Sequence, residues 1–191
     1  MNETYKVQVQ GLVDDLKAVF THAGLGGEAG EYKLLTQSFL YKFLNDKFLY
    51  QAKVLDESNT YENLLAMSEE DYDWLLEDIG TSTAWLKPDQ LIETLHRQQN
   101  EPTFYETFEN TLNQIAIDNN DIFSVHTDGD TAIRLFDERL ITDTISDSSK
   151  RNEVAKAIIN LLARVKFDET IFSQGFDFFS TLFEYMIKDY N

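Results

Sequence analysis

The sequence predicts an all-α, bundle-like fold, and three observations favour this fold class. Apolar residues recur at spacings of three and four in most segments, which is the period of a helix with one buried face. Long strand-like alternation is absent, and the 191 residues include only two prolines. Apolar residues make up 42% of the chain, enough for a substantial core. We therefore expect a single helical domain over residues 1–191.

Two long helices are predicted at the start of the chain. Residues 4–20 carry one apolar stripe, formed by Val9, Leu12, Val13, Leu16, Val19 and Phe20. Residues 24–30 contain four glycines and are typical of a loop. A second helix over residues 31–55 has a stripe formed by Leu35, Phe39, Leu40, Phe43, Leu44 and Phe48. Three lysines are expected on its opposite, solvent-facing side: Lys33, Lys42 and Lys47.

The next two helices are indicated by residues typical of helix ends. Ser68 lies three positions before Asp71, acidic residues fill the first turn, and Gly80 can end the helix. Residues 87–99 predict another helix, with Pro88 near its first position, where a missing N–H is tolerated.

The second half of the chain predicts three more helical segments. Thr103 and Glu106 have the spacing of a capping box, followed by a stripe of Phe104, Phe108, Leu112 and Ile115. Residues 118–131 predict a polar connection, and residues 132–141 another short helix. A capped helix is expected over residues 146–165, with an inner face of Val154, Ile158, Leu161, Leu162 and Val165.

The charge of the chain is strongly negative and unevenly distributed. The formal net charge is −18, which by itself argues against nucleic-acid binding because phosphate contacts need Lys and Arg. Residues 56–89 hold ten acidic side chains and one Lys87, a pattern typical of a solvated face. Residues 150–166 hold five basic side chains and one Glu153. This second stretch predicts a DNA-contacting patch or an ordinary solvated helix face, and its candidate contacts are Lys150, Arg151, Lys156 and Arg164.

The sequence predicts no catalytic, cofactor-binding or metal site. Cysteine is absent, which excludes disulfides and thiolate chemistry and favours a reducing cytoplasm. No apolar run has the length of a membrane span, and no signal peptide opens the chain. The glycine-rich loop lacks the Gly-Lys-Ser/Thr ending of a phosphate-binding loop. The three histidines are too far apart in sequence to form a helical metal pair.

Two stretches carry a pattern that goes beyond helical spacing. Residues 30–48 read GEYKLLTQSFLYKFLNDKF, and residues 167–191 read FDETIFSQGFDFFSTLFEYMIKDYN. Together they resemble the modification (M, HsdM) subunits of type I restriction–modification systems. The first stretch resembles the family's first long helix through Glu31, Tyr32, Lys33, Phe39, Leu40, Lys42, Phe43, Leu44, Asp46 and Lys47. The second resembles its Asp-x-x-Gly-x-x-Tyr-Glu-Tyr-Leu-Ile segment through Asp177, Ser180, Phe183, Glu184, Tyr185, Met186 and Ile187, where Ser180 replaces Gly and Phe183 replaces Tyr.

The resemblance implies a helical N-terminal domain whose parent protein methylates adenine N6 in DNA with S-adenosylmethionine. The family's catalytic Asn-Pro-Pro-Tyr/Phe motif cannot occur here, since the only prolines are Pro88 and Pro102. A catalytic domain is therefore expected after residue 191, and this chain alone is expected to be inactive. The implied partners are double-stranded DNA, the specificity subunit, a second modification subunit and the restriction subunit. Four apolar residues are expected to pack against the next domain: Phe179, Phe183, Met186 and Ile187.

The charge of the chain suggests one alternative function. A self-contained acidic protein could imitate the phosphates of DNA and bind DNA-processing enzymes without any catalytic activity. A helical adaptor with no role in nucleic-acid binding is a third hypothesis. The first hypothesis requires a catalytic domain beyond codon 191, and the other two require none.

Overall fold

The computed structural model describes residues 3–123 and 136–173, and it confirms the all-α fold class. No strand occurs within these residues, and the helices pack in a bundle-like arrangement around one core. A 3-10 helix covers Pro88–Gln90. The α-helices are α1 (Glu3–His22), α2 (Ala29–Leu55), α3 (Tyr61–Ala66), α4 (Glu69–Ile79), α5 (Ile92–Arg97), α6 (Phe104–Asp118), α7 (Asn120–Phe123), α8 (Leu140–Thr144), α9 (Ser148–Arg164) and α10 (Glu169–Ser173).

Helix α2 runs through the centre of the fold. It contacts α1, α4, α8 and α9, and its predicted stripe is buried apart from the partly exposed Leu40. The prediction for its polar side was wrong at one position: Lys42 is only 3% exposed, whereas Lys33 is exposed. The reason is that neighbouring segments cover α2 on more than one side, so that no continuous solvent face is left along its length.

Helix α9 is the second central element and contacts α1, α5, α6 and α8. It is capped, as predicted, but begins at Ser148 and not at residue 146. The cap is Asp147, whose carboxylate accepts a hydrogen bond from the backbone N–H of Ser149 at 3.0 Å. Its inner face is buried and comprises Val154, Ala155, Ile158, Ile159 and Leu162. The exposed residues of α9 are therefore concentrated near its two ends.

The residues predicted at the two ends of α4 act as the sequence predicts. The Ser68 hydroxyl accepts a hydrogen bond from the N–H of Asp71 at 3.1 Å, and Gly80 ends α4 with a φ of 61°. Such a positive φ favours glycine. In the loop before α2, Gly27 has a φ of 79°, and its N–H donates to the carboxylate of Glu31 at 2.6 Å. The N–H of Gly27 in the glycine-rich loop is thus already bonded to a carboxylate of the chain itself.

The capping box predicted at Thr103 is wrong, because the Thr103 side chain makes no cap hydrogen bond. The start of α6 is instead bonded by Asn152 of α9. The Asn152 side chain accepts from the N–H of Tyr105 at 3.0 Å and donates to the carbonyl of Pro102 at 2.7 Å. A tertiary contact therefore takes the place of the local cap.

Three other predicted segments differ in extent. The helix expected over residues 87–99 is divided into the 3-10 helix and α5, since Leu91 between them has an extended backbone. Part of the connection expected over 118–131 is helical, as α7. The helix expected over 132–141 is wrong at the described residues 136–139, which are not helical, because α8 begins only at Leu140; residues 132–135 lie outside the described part. The predicted packing residues Phe179, Phe183, Met186 and Ile187 also lie outside it.

Candidate functional site

The four basic residues proposed as DNA contacts lie on or near the surface of α9, but they do not share one face. Lys150 and Arg164 are exposed, while Arg151 and Lys156 are half-buried. An α-helix turns by about 100° per residue, so Arg151 and Lys156 project roughly 140° apart. Lys150 and Arg164 project within about 40° of each other, but are separated by roughly 21 Å along the axis. The structure therefore does not bring the four side chains together as a continuous patch.

Arg151 is engaged within the protein. Its Nε donates to the carbonyl of Ile145 at 2.9 Å, and one Nη lies 3.4 Å from the carbonyl of Thr142. The guanidinium also lies over the ring of Tyr105, 5.7 Å from the centroid. These contacts place a positive charge at the C-terminal end of α8, where the helix dipole favours a cation.

The opposite end of α8 is held by a buried carboxylate from α6. Glu109 is 6% exposed and accepts hydrogen bonds from the N–H groups of Ile141 and Thr142, at 3.1 and 3.0 Å. It also accepts from the Thr142 hydroxyl at 2.8 Å. Helix α8 is thus stabilised by an anion at its N-terminal end and by Arg151 at its C-terminal end, an arrangement that matches its dipole.

Lys150 lines a cavity of about 540 Å³ between α1 and α9. His22 and Glu153 also line this cavity. The remaining lining side chains are small or apolar: Ala18, Val19, Ala23, Val154 and Ala157. An acidic group beside Lys150 reduces the positive potential there, so this cavity favours no anion strongly.

The most polar part of the core is an ion pair inside α2, which sequence reasoning missed. The ammonium of Lys42 lies 2.9 Å from a carboxylate oxygen of Asp46, and both side chains are over nine-tenths buried. Lys42 also donates to the carbonyl of Val165, and the same Asp46 oxygen accepts from the N–H of Phe167 at 2.9 Å. The pair therefore connects the middle of α2 to the segment after α9.

Asn45 extends this polar network to α5. Its amide donates to the second carboxylate oxygen of Asp46 at 2.9 Å, and its own oxygen accepts from the N–H of Ile92 at 2.9 Å. A single turn of α2 thus bonds two distant segments of the chain. The one sequence signal for this arrangement is a Lys and an Asp at i and i+4 within an otherwise apolar run.

The electrostatics of the ion pair favour a structural role. Burial lowers the pKa of Lys42 below its ordinary value, although the neighbouring Asp46 opposes the shift. Both carboxylate oxygens of Asp46 already accept hydrogen bonds. Because these bonds join α2 to two other segments of the chain, the network is best described as a cross-link.

A cavity of about 430 Å³ lies beside the ion pair. Its charged lining is balanced, with three ammonium groups from Lys42, Lys53 and Lys166 and three carboxylates from Asp46, Glu93 and Asp168. Charge alone therefore favours neither an anionic nor a cationic ligand.

Among the described residues, no group of three or more His, Asp or Glu side chains could hold a metal ion. No helix in this part of the chain is long and apolar enough to cross a membrane.

Each of the ten acidic residues in the stretch 56–89 is exposed. This agrees with the predicted solvated face.

Comparisons with protein-family models, with curated proteins and with solved structures find no match for this chain.

Proposed function

We propose that this chain is the N-terminal helical domain of a type I modification subunit. In this role it assembles with the specificity subunit, a second modification subunit and the restriction subunit in the cytoplasm, and helps to hold double-stranded DNA. Adenine methylation would be carried out by a catalytic domain of the same polypeptide, which would bind S-adenosylmethionine. No residue of this chain is assigned to catalysis or to that cofactor.

The observation that carries the proposal is that the first family-like stretch packs against the described beginning of the second. Phe39 of the first stretch stacks near Phe167, with ring centroids 6.4 Å apart, and Phe43 lies 5.9 Å from Phe172. Residues 167–173 are the part of the second stretch that the structure describes. The polar residues Lys42 and Asp46 belong to the first stretch and hold the backbone just before and at Phe167. Helical periodicity alone does not require a Lys and an Asp in this apolar stretch. The bonds of these buried side chains to the backbone just before and at the start of the second stretch give a reason for their presence.

The exposed cations of α9 support a limited role in DNA binding. Lys150 and Arg164 have no ion-pair partner among the described residues. Their separation of roughly 21 Å along the helix suits contacts to two separate phosphates. Arg151 is excluded from this role by its contacts to α8, and it is better described as a structural residue.

The first test is to determine the reading frame beyond codon 191 and to express the complete gene with its neighbours. We expect an Asn-Pro-Pro-Tyr/Phe motif in the frame and transfer of labelled methyl groups from S-adenosylmethionine to adenine in DNA. A stop codon at position 192, with no methyl transfer by the products of the neighbouring genes, would refute the proposal. That result would favour the acidic DNA-mimic alternative.

A second test uses single charge reversals in the assembled complex. Lys150→Glu should weaken duplex binding and lower the salt dependence by about one phosphate contact. Lys6→Glu is the matched control, because Lys6 is an exposed lysine on α1, outside the basic stretch. Equal effects of the two changes would contradict a specific role for Lys150.

A further inference from the structure

The outer face of α4 carries a tryptophan whose side chain is mostly exposed and is not part of the core. Trp74 is 60% exposed, whereas the inner face of α4 is buried. That inner face is formed by Tyr72, Leu75, Leu76 and Ile79. Indole is a large apolar group that gains free energy when it is covered, and exposed tryptophans are frequent anchors of protein interfaces.

Carboxylates surround the exposed indole at helical spacing. Glu70 precedes Trp74 by four positions and Glu77 follows it by three, so all three side chains share one face, with Asp73 beside them. This face bears a shallow depression of about 520 Å³, lined by Glu69, Glu70, Asp73, Trp74 and Glu77. The depression therefore combines an aromatic surface with several hydrogen-bond acceptors of the same charge.

The negative charge of this face has no partner among the described residues. None of the acidic side chains of α4 forms a salt bridge there. The one cation in the surrounding stretch, Lys87, lies 3.7 Å from Asp118 of α6. An uncompensated cluster of this kind attracts cations and repels phosphate-bearing ligands.

An arginine that binds an aromatic ring and a carboxylate together already occurs within this chain, at α3. Arg97 lies over the ring of Tyr61, 4.9 Å from the centroid, while its guanidinium lies 2.5 Å from the carboxylate of Glu62. One arginine is thus stacked on an aromatic ring and paired with the adjacent acid at the same time. The face of α4 offers a larger ring and more carboxylates, but no arginine.

We infer that the outer face of α4 is a docking surface for an arginine-bearing segment of a protein partner. An incoming guanidinium stacks on the indole of Trp74, and its N–H groups donate to Glu70, Asp73 or Glu77. Arginine is favoured over lysine because a planar guanidinium can stack and form a bidentate contact simultaneously. Duplex DNA is excluded by charge, and a purely apolar helix would bury these carboxylates without partners. The inference does not depend on the proposed function.

The test compares two synthetic peptides of equal length and charge, one built from Arg and Ala and the other from Lys and Ala. Their affinities are measured by titration calorimetry at two salt concentrations. The chains compared are the wild type, Trp74→Ala, and the triple variant Glu70→Gln/Asp73→Asn/Glu77→Gln. The control variant Asp15→Asn/Glu57→Gln/Glu153→Gln removes the same charge from exposed positions elsewhere. Circular dichroism verifies that every variant keeps its helices.

We expect the wild type to prefer the arginine peptide over the lysine peptide by about fivefold. Trp74→Ala should abolish this preference, and the α4 triple variant should lose about tenfold in affinity, while the control stays close to the wild type. The inference is overturned if Trp74→Ala keeps the preference, or if the α4 and control variants weaken equally, since binding would then depend on net charge alone. Duplex DNA binding that Trp74→Ala weakens, or self-association abolished by Trp74→Ala, would also overturn it.

Discussion

Replacing Lys42 by Met removes the positive partner of the buried ion pair while keeping a long unbranched side chain. Asp46, which is 8% exposed, is then left in the core with two of its hydrogen bonds, from Asn45 and from the N–H of Phe167. The folded variant has two ways to respond. It can keep a buried, unpaired carboxylate, or it can protonate that carboxylate.

Protonation sets an upper limit on the destabilisation caused by the unpaired charge. An ordinary aspartate carboxyl has a pKa of about 3.9, and each pH unit corresponds to about 1.4 kcal/mol. Protonating a carboxyl of this ordinary pKa therefore costs about 4 kcal/mol at pH 7 and about 1.5 kcal/mol at pH 5. Loss of one partner of a buried ion pair commonly costs about 3–5 kcal/mol, in agreement with the limit at pH 7. We expect Lys42→Met to lower the free energy of unfolding by about 3–4 kcal/mol at pH 7, and by less than half of that at pH 5.

Urea unfolding followed by circular dichroism at both pH values measures this difference. The double variant Lys42→Met/Asp46→Asn is the control, because Asn removes the charge but keeps an acceptor for the N–H of Phe167. It should recover all but about 1 kcal/mol of the loss. A Lys42→Met variant within about 1 kcal/mol of the wild type at pH 7, or one with the same loss at both pH values, would refute the description of this network as a buried cross-link.

Two further predictions concern the ends of helices. Glu109→Gln should lower the free energy of unfolding by about 1–2 kcal/mol, because a neutral amide bonds the N–H groups at the start of α8 less strongly, and amide exchange at Thr142 should become faster; unchanged exchange would argue against the cap. The pKa of Asp147 is lowered from 3.8 by hydrogen bonds from Ser149. A lowered folded-state pKa means that the contribution of Asp147 is present above pH 3.8 and is lost as the pH falls through the folded-state value. Asp147→Asn should therefore reduce the loss of thermal stability in that acidic interval, and an identical acid profile would contradict this assignment.

The parts of the fold that the sequence predicts correctly are those fixed by local signals. The cap at Ser68 and the turn at Gly80 depend on residues a few positions away, so the sequence contains all the information needed. The cap of α6 depends on Asn152, which lies 47 positions from Tyr105. No local pattern specifies that contact, and the nearer Thr103 has the sequence of a cap without its geometry. Tertiary contacts explain this difference.

The candidate site shows the same limit in its charges. The count of basic residues in the stretch 150–166 correctly indicates where positive charge is concentrated, but not which of these side chains are accessible. Arg151 directly follows Lys150 in the sequence, and nothing in the sequence distinguishes the two. Because α8 packs against α9, the Arg151 guanidinium donates to backbone carbonyls and is not free to bind a phosphate. Lys42 is the converse case, since a lysine predicted at the surface is enclosed by segments more than 120 positions away. Periodicity identifies one buried face of a helix, but it cannot show that a second face is covered as well.

The distribution of charge also limits what this chain contributes to DNA binding. Each phosphate contact needs a free cation, and on α9 the exposed cations are Lys150 and Arg164, with the exposed Glu153 between them. Two contacts on a chain of net charge −18 give little affinity at physiological salt. If the proposed function holds, the affinity of the complex for DNA must come mainly from its other domains and subunits, while this domain positions them. The uncompensated face of α4 then has a second consequence, because the charge that attracts an arginine-bearing partner also keeps this part of the surface away from the duplex.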